Sequence, residues 1–448
     1  MKNFNLRFSF LAVLIFSLFG LSVSAQEQQR SIKDKRHDGL EMLKSVKQNL
    51  DDYYYDPTFH GVNIEEKYKI AQEEIKKAER SGQIYATIAQ FLLELNDSHT
   101  SFQPPGLASY VDYGFRTQMI GDKCFVVAVK PGTDAEKQGV KVGDLVYSIE
   151  TFEPTRDSLW KINYFYYRLS PQDIMRLVVQ NSDGTLREFQ VTATLRTAKD
   201  IDKAAISSKG LLPPYECKDI GTDAIVCKLR TFLVDENTID EMMKKVRQKK
   251  SLILDLRGNG GGYIVSMKKL AGYFFDHDVK IGDQKKRKAT KEIITKTNKD
   301  KVFTGQLSVL VDSNSASASE VFARTVQIEK RGVVVGDTSA GAVMASISPT
   351  MAFKNEMIVS VLQLYGMSVT IADLIMTDGK SLEKSGVKPD YIVLPNGLDL
   401  LRKRDIVLSK AADLQGKQIE PENAGLLFAP DQKTEKNAGD YKNVDEDQ

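Results

Sequence analysis

Cysteine is scarce: Cys124, Cys217 and Cys227 are the only three in 448 residues. Their spacing matches no metal-ligand pattern, so no metal centre is expected. A Cys217–Cys227 bridge is conceivable in an oxidising compartment, but buried free thiols are the expectation, in a fold that does not depend on disulfides. An excess of one charge is also missing, with 62 Lys and Arg against 60 Asp and Glu. Lys2 and Arg7 account for the net +2, so the remainder is near neutral and neither nucleic acid nor an anionic membrane surface is favoured as a partner. Long hydrophobic runs are missing too. The one apolar run, Phe8 to Leu21, is shorter than the roughly 18 residues a membrane span needs.

That run follows a basic start and precedes Val23-Ser24-Ala25, the pattern of a secretory signal cleaved after Ala25. The chain is therefore expected to be exported, to the periplasm or the extracellular space, with no stable membrane insertion after cleavage. Its length exceeds one compact core. Residues 1–25 read as signal peptide and 26–103 as a helical region, with Leu40, Leu43, Val46 and Leu50 at helical spacing. Residues 104–200 read as short strands, including Phe125–Val129, Leu145–Ile149 and Met175–Gln180. Residues 201–430 alternate buried strands with helices, which implies an α/β layered core. Residues 431–448 are charged and polar and read as a disordered tail.

Two strand-to-helix junctions carry candidate chemistry. The strand Leu307–Val311 runs into Asn314-Ser-Ala-Ser-Ala-Ser-Glu320 and then an amphipathic helix. Small residues there permit a sharp turn that projects one hydroxyl at a helix N-terminus, where developing negative charge is favoured. The plain alternative is a serine N-cap. The strand Leu252–Leu256 runs into Asp255-Leu-Arg-Gly-Asn-Gly-Gly-Gly262. Its three successive glycines let backbone N–H groups approach a ligand, yet it has neither the lysine nor the spacing of a phosphate-binding P-loop. Backbone donors of this kind suffice for an oxyanion hole.

Together these two motifs resemble the C-terminal processing (tail-specific) and tricorn-core serine protease superfamily. Leu95-Asn-Asp-Ser-His-Thr100, Tyr113-Gly-Phe115, Pro131-Gly-Thr-Asp-Ala135, Gly139-Val-Lys-Val-Gly-Asp144 and Leu382-Glu-Lys-Ser-Gly-Val-Lys-Pro-Asp390 resemble further motifs of that family, in the right order. The resemblance implies an α/β (α+β multidomain) chain with a crotonase-like core, an N-terminal helical region and a PDZ-like domain. It also implies a serine endopeptidase acting on polypeptide substrates without cofactor or metal, with Ser317 as nucleophile. The position where the tail-specific branch carries its lysine base is here Ala342, so the Ser–Lys dyad is absent.

A serine near neutral pH still needs a base, and histidine is the usual choice. Of the four histidines, His99 lies in a family motif. The tricorn-core branch implies His99 as base and acid, Ser98 beside it and Glu383 as the orienting acid; Glu320 is the alternative orienting acid. The oxyanion donors implied are the N–H groups of Gly261, with Gly260 as the near alternative, and of Ala318. Asp255 and Arg257 are expected to form a structural ion pair. Gly114 and Phe115 of the PDZ-like segment would receive a substrate carboxylate, if that segment does more than gate the cleft. The competing expectation is a non-catalytic peptide- or apolar-ligand-binding protein on the same fold.

Overall fold

The computed structural model describes residues 31–105, 109–181, 183–197, 212–354 and 362–428. The signal peptide and the polar tail expected at the two ends lie outside the described residues.

Helical periodicity near the N-terminus resolves into three helices, Ile32–Tyr53, Ile64–Lys77 and Ser81–Leu93. Ser31 and Asn63 cap the first two by accepting backbone N–H groups. The helices are interrupted around Pro57 and Gly61 and again at residues 78–80. Leu43, Val46, Leu50, Ile84 and Ile88 are buried against Tyr365, Met367 and Val369 of a long strand, Leu362–Met376. The short strand Ser101–Gln103 pairs antiparallel with the same strand. The loop carrying His99 is thereby held at both ends.

A five-stranded antiparallel sheet follows: Phe115–Ile120, Lys123–Val129, Leu145–Ile149, Ile174–Gln180 and Leu186–Thr192. It has its own core, in which Val126, Leu177, Val179 and Val191 are fully buried. It docks on the rest through polar contacts. Gln118 Nε2 donates to Asp312 Oδ2 at 2.9 Å, and Arg156 pairs with Asp337 at 2.7 Å.

The main sheet runs in the order Tyr391–Ile392, Val333–Gly336, Gln306–Val311, Ser251–Asp255, Ala224–Leu229, Tyr215–Asp219. All pairings are parallel except the last. Its central strands, Gln306–Val311 and Ser251–Asp255, read as near-continuous apolar runs because both faces are covered. Ile225, Cys227, Leu252, Leu254 and Val309 face a core shared with the helices Glu236–Val246, Ile264–Ala271 and Ala318–Ile328. Val226, Ile253, Leu310 and Val335 face Val407, Leu408 and Ala411 on the opposite side. Strands Ser251–Asp255 and Gln306–Val311 are parallel neighbours, so the loops at their carboxyl ends emerge side by side. That is where α/β sheets place ligand sites.

A second sheet contains the long strand, the hairpin Val279–Lys286 and Thr290–Thr295, and the strands Met344–Ile347 and Thr350–Lys354. The expectation of free thiols at Cys217 and Cys227 is corrected: the two are disulfide-bonded. The antiparallel register sets them directly opposite each other, with Cα atoms 4.1 Å apart, well short of the roughly 7 Å beyond which two cysteines cannot be bridged. Cys124 is free and buried.

Phe322, fully buried on the helix after the Ser317 turn, stacks edge-on against Phe274 at 5.6 Å. Phe322→Ala should cost about 3–5 kcal/mol, measured by urea unfolding.

Candidate active site

Ser317 is the residue that begins the helix Ala318–Ile328, but its backbone is not that of an ordinary cap. Capping serines are extended; Ser317 sits at φ 55°, ψ −117°. Such a conformation costs of order 1–3 kcal/mol and persists only where its surroundings enforce it. Here they do. The Ser317 N–H is shared between Ala342 O at 2.9 Å and Glu320 Oε2 at 3.0 Å.

The glycine loop is packed against this turn. A Cβ on Gly261 would lie 2.7 Å from Ser317 Cβ and 2.8 Å from Ala316 O, and its φ is +93°. Asn259, fully buried, fastens the two loops together. Its backbone carbonyl accepts from Ala316 N at 3.0 Å and Ser319 Oγ at 2.9 Å, and its Nδ2 donates to Leu229 O. Its Oδ1 accepts the Gly261 N–H at 2.9 Å. Among the described residues, no acceptor pairs with the N–H of Gly260 or of Ala318. Asp255, fully buried, pairs with Arg257 at 2.9 Å and Lys228 at 3.1 Å, and Arg257 also holds Asp405.

Opposite the turn lies a hydrogen-bonded chain. Ser98 Oγ donates to Glu383 Oε2 at 2.8 Å and lies 2.7 Å from His99 Nδ1. The hydroxyl has one proton, and a carboxylate only accepts. With that proton on Glu383, the contact to Nδ1 requires an N–H from the ring, which leaves Nε2 with its lone pair. The other carboxylate oxygen accepts Ser98 N at 2.8 Å, and Val343 N donates to Oε2 at 2.9 Å. Burial pushes the His99 imidazole below its ordinary range, and the charges of Glu383 and Asp97 pull it partly back. The ring is therefore held neutral near pH 7.

His99, Ser317, Ala318, Gly260 and Val343 line one cavity of about 550 Å³. No hydrogen bond joins His99 to Ser317 among the described residues. A larger apolar cavity, about 730 Å³ between Ile70, Phe91 and Phe165, contains none of these groups.

Glu320 is fully buried and does not reach His99. It accepts from Ser339 Oγ at 2.6 Å, Gly341 N at 2.8 Å, and the N–H groups of Ala342 and Ser317 at 3.0 Å. Burial pushes its carboxyl up to about 7 against those four donors. It ties residues 339–342 to the Ser317 turn. Away from the cleft, the Gly114 N–H is donated to Asp112 Oδ1 at 3.0 Å, and Phe115 is buried opposite Val129.

Asp97 went unassigned in the sequence although it sits inside a recognised motif. It is buried and accepts from Tyr54 Oη at 2.7 Å, His99 N at 3.0 Å, Thr100 N at 2.7 Å and Thr370 Oγ1 at 2.9 Å. Asp373 was missed as well; it accepts from Ser381 Oγ, which itself accepts the Glu383 N–H. An aspartate in a polar loop usually caps a turn, so neither role has a local signature.

Residues 225–393 match the sequence model of Peptidase family S41. That segment includes Gly261, Ser317 and Glu383 and stops short of His99. The chain is 24% identical over 372 residues to the chloroplastic C-terminal processing peptidase of Tetradesmus obliquus, covering 78% of this chain and 76% of that protein. It is 23% identical over 344 residues to the tail-specific protease of Haemophilus influenzae, covering 73% of this chain but 48% of that one. The chain thus spans about half the length of the second relative. The fold is also that of mature CPAF, with a TM-score of 0.63 over 82% of this chain and 94% of that structure at 14% identity.

Gly261→Ala should lower stability by roughly 1–3 kcal/mol, through its positive φ and the contact with Ser317. Chemical denaturation measures the loss, and an unchanged midpoint would mean that the two loops are not in contact.

Proposed function

We propose that this chain, which is similar over residues 225–393 to Peptidase family S41 and along most of its length to named proteases, is an exported serine endopeptidase working through an acyl-enzyme on Ser317. The observation that carries the reading is the Glu383–Ser98–His99 chain, which ends on the cavity shared with Ser317.

His99 Nε2 takes the Ser317 proton as Oγ attacks the scissile carbonyl. The imidazolium so formed keeps its Nδ1–H on Ser98 Oγ, and Glu383 stabilises the charge through that hydroxyl. The N–H groups of Gly260 and Ala318 receive the oxyanion. Gly261, whose N–H is already donated to Asn259, holds the loop against the turn instead. Nε2 then returns the proton to the leaving amine. Water, deprotonated by the same nitrogen, releases the acyl group and regenerates Ser317. In apo structures such groups often stand apart and tighten only around substrate.

Export rests on residues 1–25, and the Cys217–Cys227 bridge fits an oxidising compartment. Residues 104–200 are read as a PDZ-like unit, joined through Gln118 to Asp312 and Ser313 ahead of the Ser317 turn. For Gly114 and Phe115 to capture a substrate carboxylate, the Gly114 N–H would have to leave Asp112. Glu383, hydrogen-bonded to Ser98, is preferred over Glu320 as the orienting acid.

A fluorophosphonate probe should label the wild type and fail to label Ser317→Ala; labelling that survives would end the assignment of the nucleophile. Ser317→Ala or His99→Ala should each lower kcat by about 10⁶-fold. A folded wild-type protein silent to the probe and inert toward polypeptides would favour a ligand-binding role for the cavity.

The pH profile gives a second test. His99 must be neutral to act, so kcat/KM should fall as pH drops through its pKa, with a midpoint below the ordinary 6.5. Glu383→Gln removes a charge that raises this pKa. Its acid limb should move to still lower pH, while kcat falls by up to roughly 10⁴-fold.

A further inference from the structure

The hairpin Val279–Lys286 and Thr290–Thr295 continues the wall of the cleft as a cationic edge. Gln284 and Leu374 both line the cavity with Ser317, and they are register partners. On its other side Gln284 is paired with Lys291. Directly opposed residues in an antiparallel sheet project from one face, as do residues two apart along a strand. Lys291 and Lys286 therefore share the cavity face with Gln284. A second path leads to the same place. Ala345, which lines the cavity, is paired with Ala372, and Ala372 with Lys286.

Strand spacing puts the Lys291 and Lys286 backbones about 5 and 7 Å beyond Gln284, within a few substrate residues of the reacting centre. Both lysines are exposed, and among the described residues no carboxylate pairs with either. At the far end of the hairpin Lys280, by contrast, is neutralised by Asp283 at 2.9 Å and Glu292 at 2.8 Å. Arg287, at the tip, donates to the carbonyl of Asp51 and ties the hairpin to the first helix. The chain as a whole is nearly neutral, so this local excess has a direction.

We propose that Lys286 and Lys291 bind a carboxylate of the bound polypeptide close to the cleaved bond, so that the enzyme favours acidic substrate segments or a substrate terminus. This rests on the Ser317 peptidase reading. The carboxylate belongs either to Asp and Glu side chains or to the α-carboxylate of a chain end, and the experiment separates the two.

Dye-labelled peptides of Ala, Val, Gly and Gln, with Gln replaced by Glu and with free or amidated C-termini, are bound to full-length Ser317→Ala protein and followed by anisotropy. The carboxylate-bearing peptides should bind about tenfold tighter than their neutral partners, as expected of two exposed ion pairs. The advantage should vanish near 1 M salt, where screening acts within about 3 Å. Lys286→Glu with Lys291→Glu should reverse the preference. A benefit from Glu identifies side chains; one lost on amidation identifies the terminus. Equal binding of acidic and neutral peptides, a preference that survives charge reversal, or no binding by any peptide overturns the proposal. Failure of the wild type to cleave any of the peptides would instead overturn the peptidase reading, leaving the binding comparison to decide the basic edge alone.

Discussion

A carboxylate drawn out of water must find donors in the protein, and Glu383 finds them on two loops remote in sequence. It accepts the backbone and hydroxyl of Ser98 and the backbone of Val343. Those contacts join the end of the N-terminal helices, the segment after the Ala342 loop and the Leu382–Asp390 segment at one point. They also decide the proton inventory of the site. A Ser98 hydroxyl committed to Glu383 can only accept from His99 Nδ1, and the free lone pair is then on Nε2. Reverse that one hydroxyl and the imidazole would present an N–H, not a lone pair, to the cavity.

The framework behind this joint is the strand Leu362–Met376. Thr370 holds Asp97, whose carboxylate accepts the His99 N–H, while Asp373 holds Ser381 and through it the Glu383 N–H. One rigid element thus sets both ends of the relay. Ser317 is set by a different device, two adjacent parallel strands whose loops are fastened by Asn259, with Glu320 tying residues 339–342 to the same turn. The catalytic reading needs these two rigid bodies to meet across the cavity. Its walls are Val343 and Ala345 on one side and the glycine loop on the other.

Much of this was legible in the sequence because the core strands are buried on both faces. Leu307–Val311 and Leu252–Leu256 read as strands from their apolar runs, and the helix Ala318–Ile328 follows the serine-rich turn as expected. Ser98, His99 and Glu383 came from motif resemblance, and the structure brings the three into hydrogen-bond contact. Other features have no local signal. The hairpin Val279–Lys286 is half-exposed and rich in lysine, so alternation is weak. The Cys217–Cys227 pairing depends on strand register, which a sequence separation of 10 does not reveal. The direction of the Gly261 N–H depends on the side chain of Asn259, and no glycine pattern encodes that. Asp97 differs from a turn-capping aspartate only through Tyr54 and Thr370, which reach it from 43 and 273 positions away.

The central claim is that burial keeps His99 neutral while Glu383, acting through Ser98, fixes its one ring proton on Nδ1. Only four histidines are present, so ¹⁵N-histidine NMR at neutral pH resolves the question directly, with His99→Ala to assign the signal. The account predicts that His99 carries its proton on Nδ1 and a free lone pair on Nε2. A His99 ring protonated on Nε2 alone, or on both nitrogens at neutral pH, would contradict it.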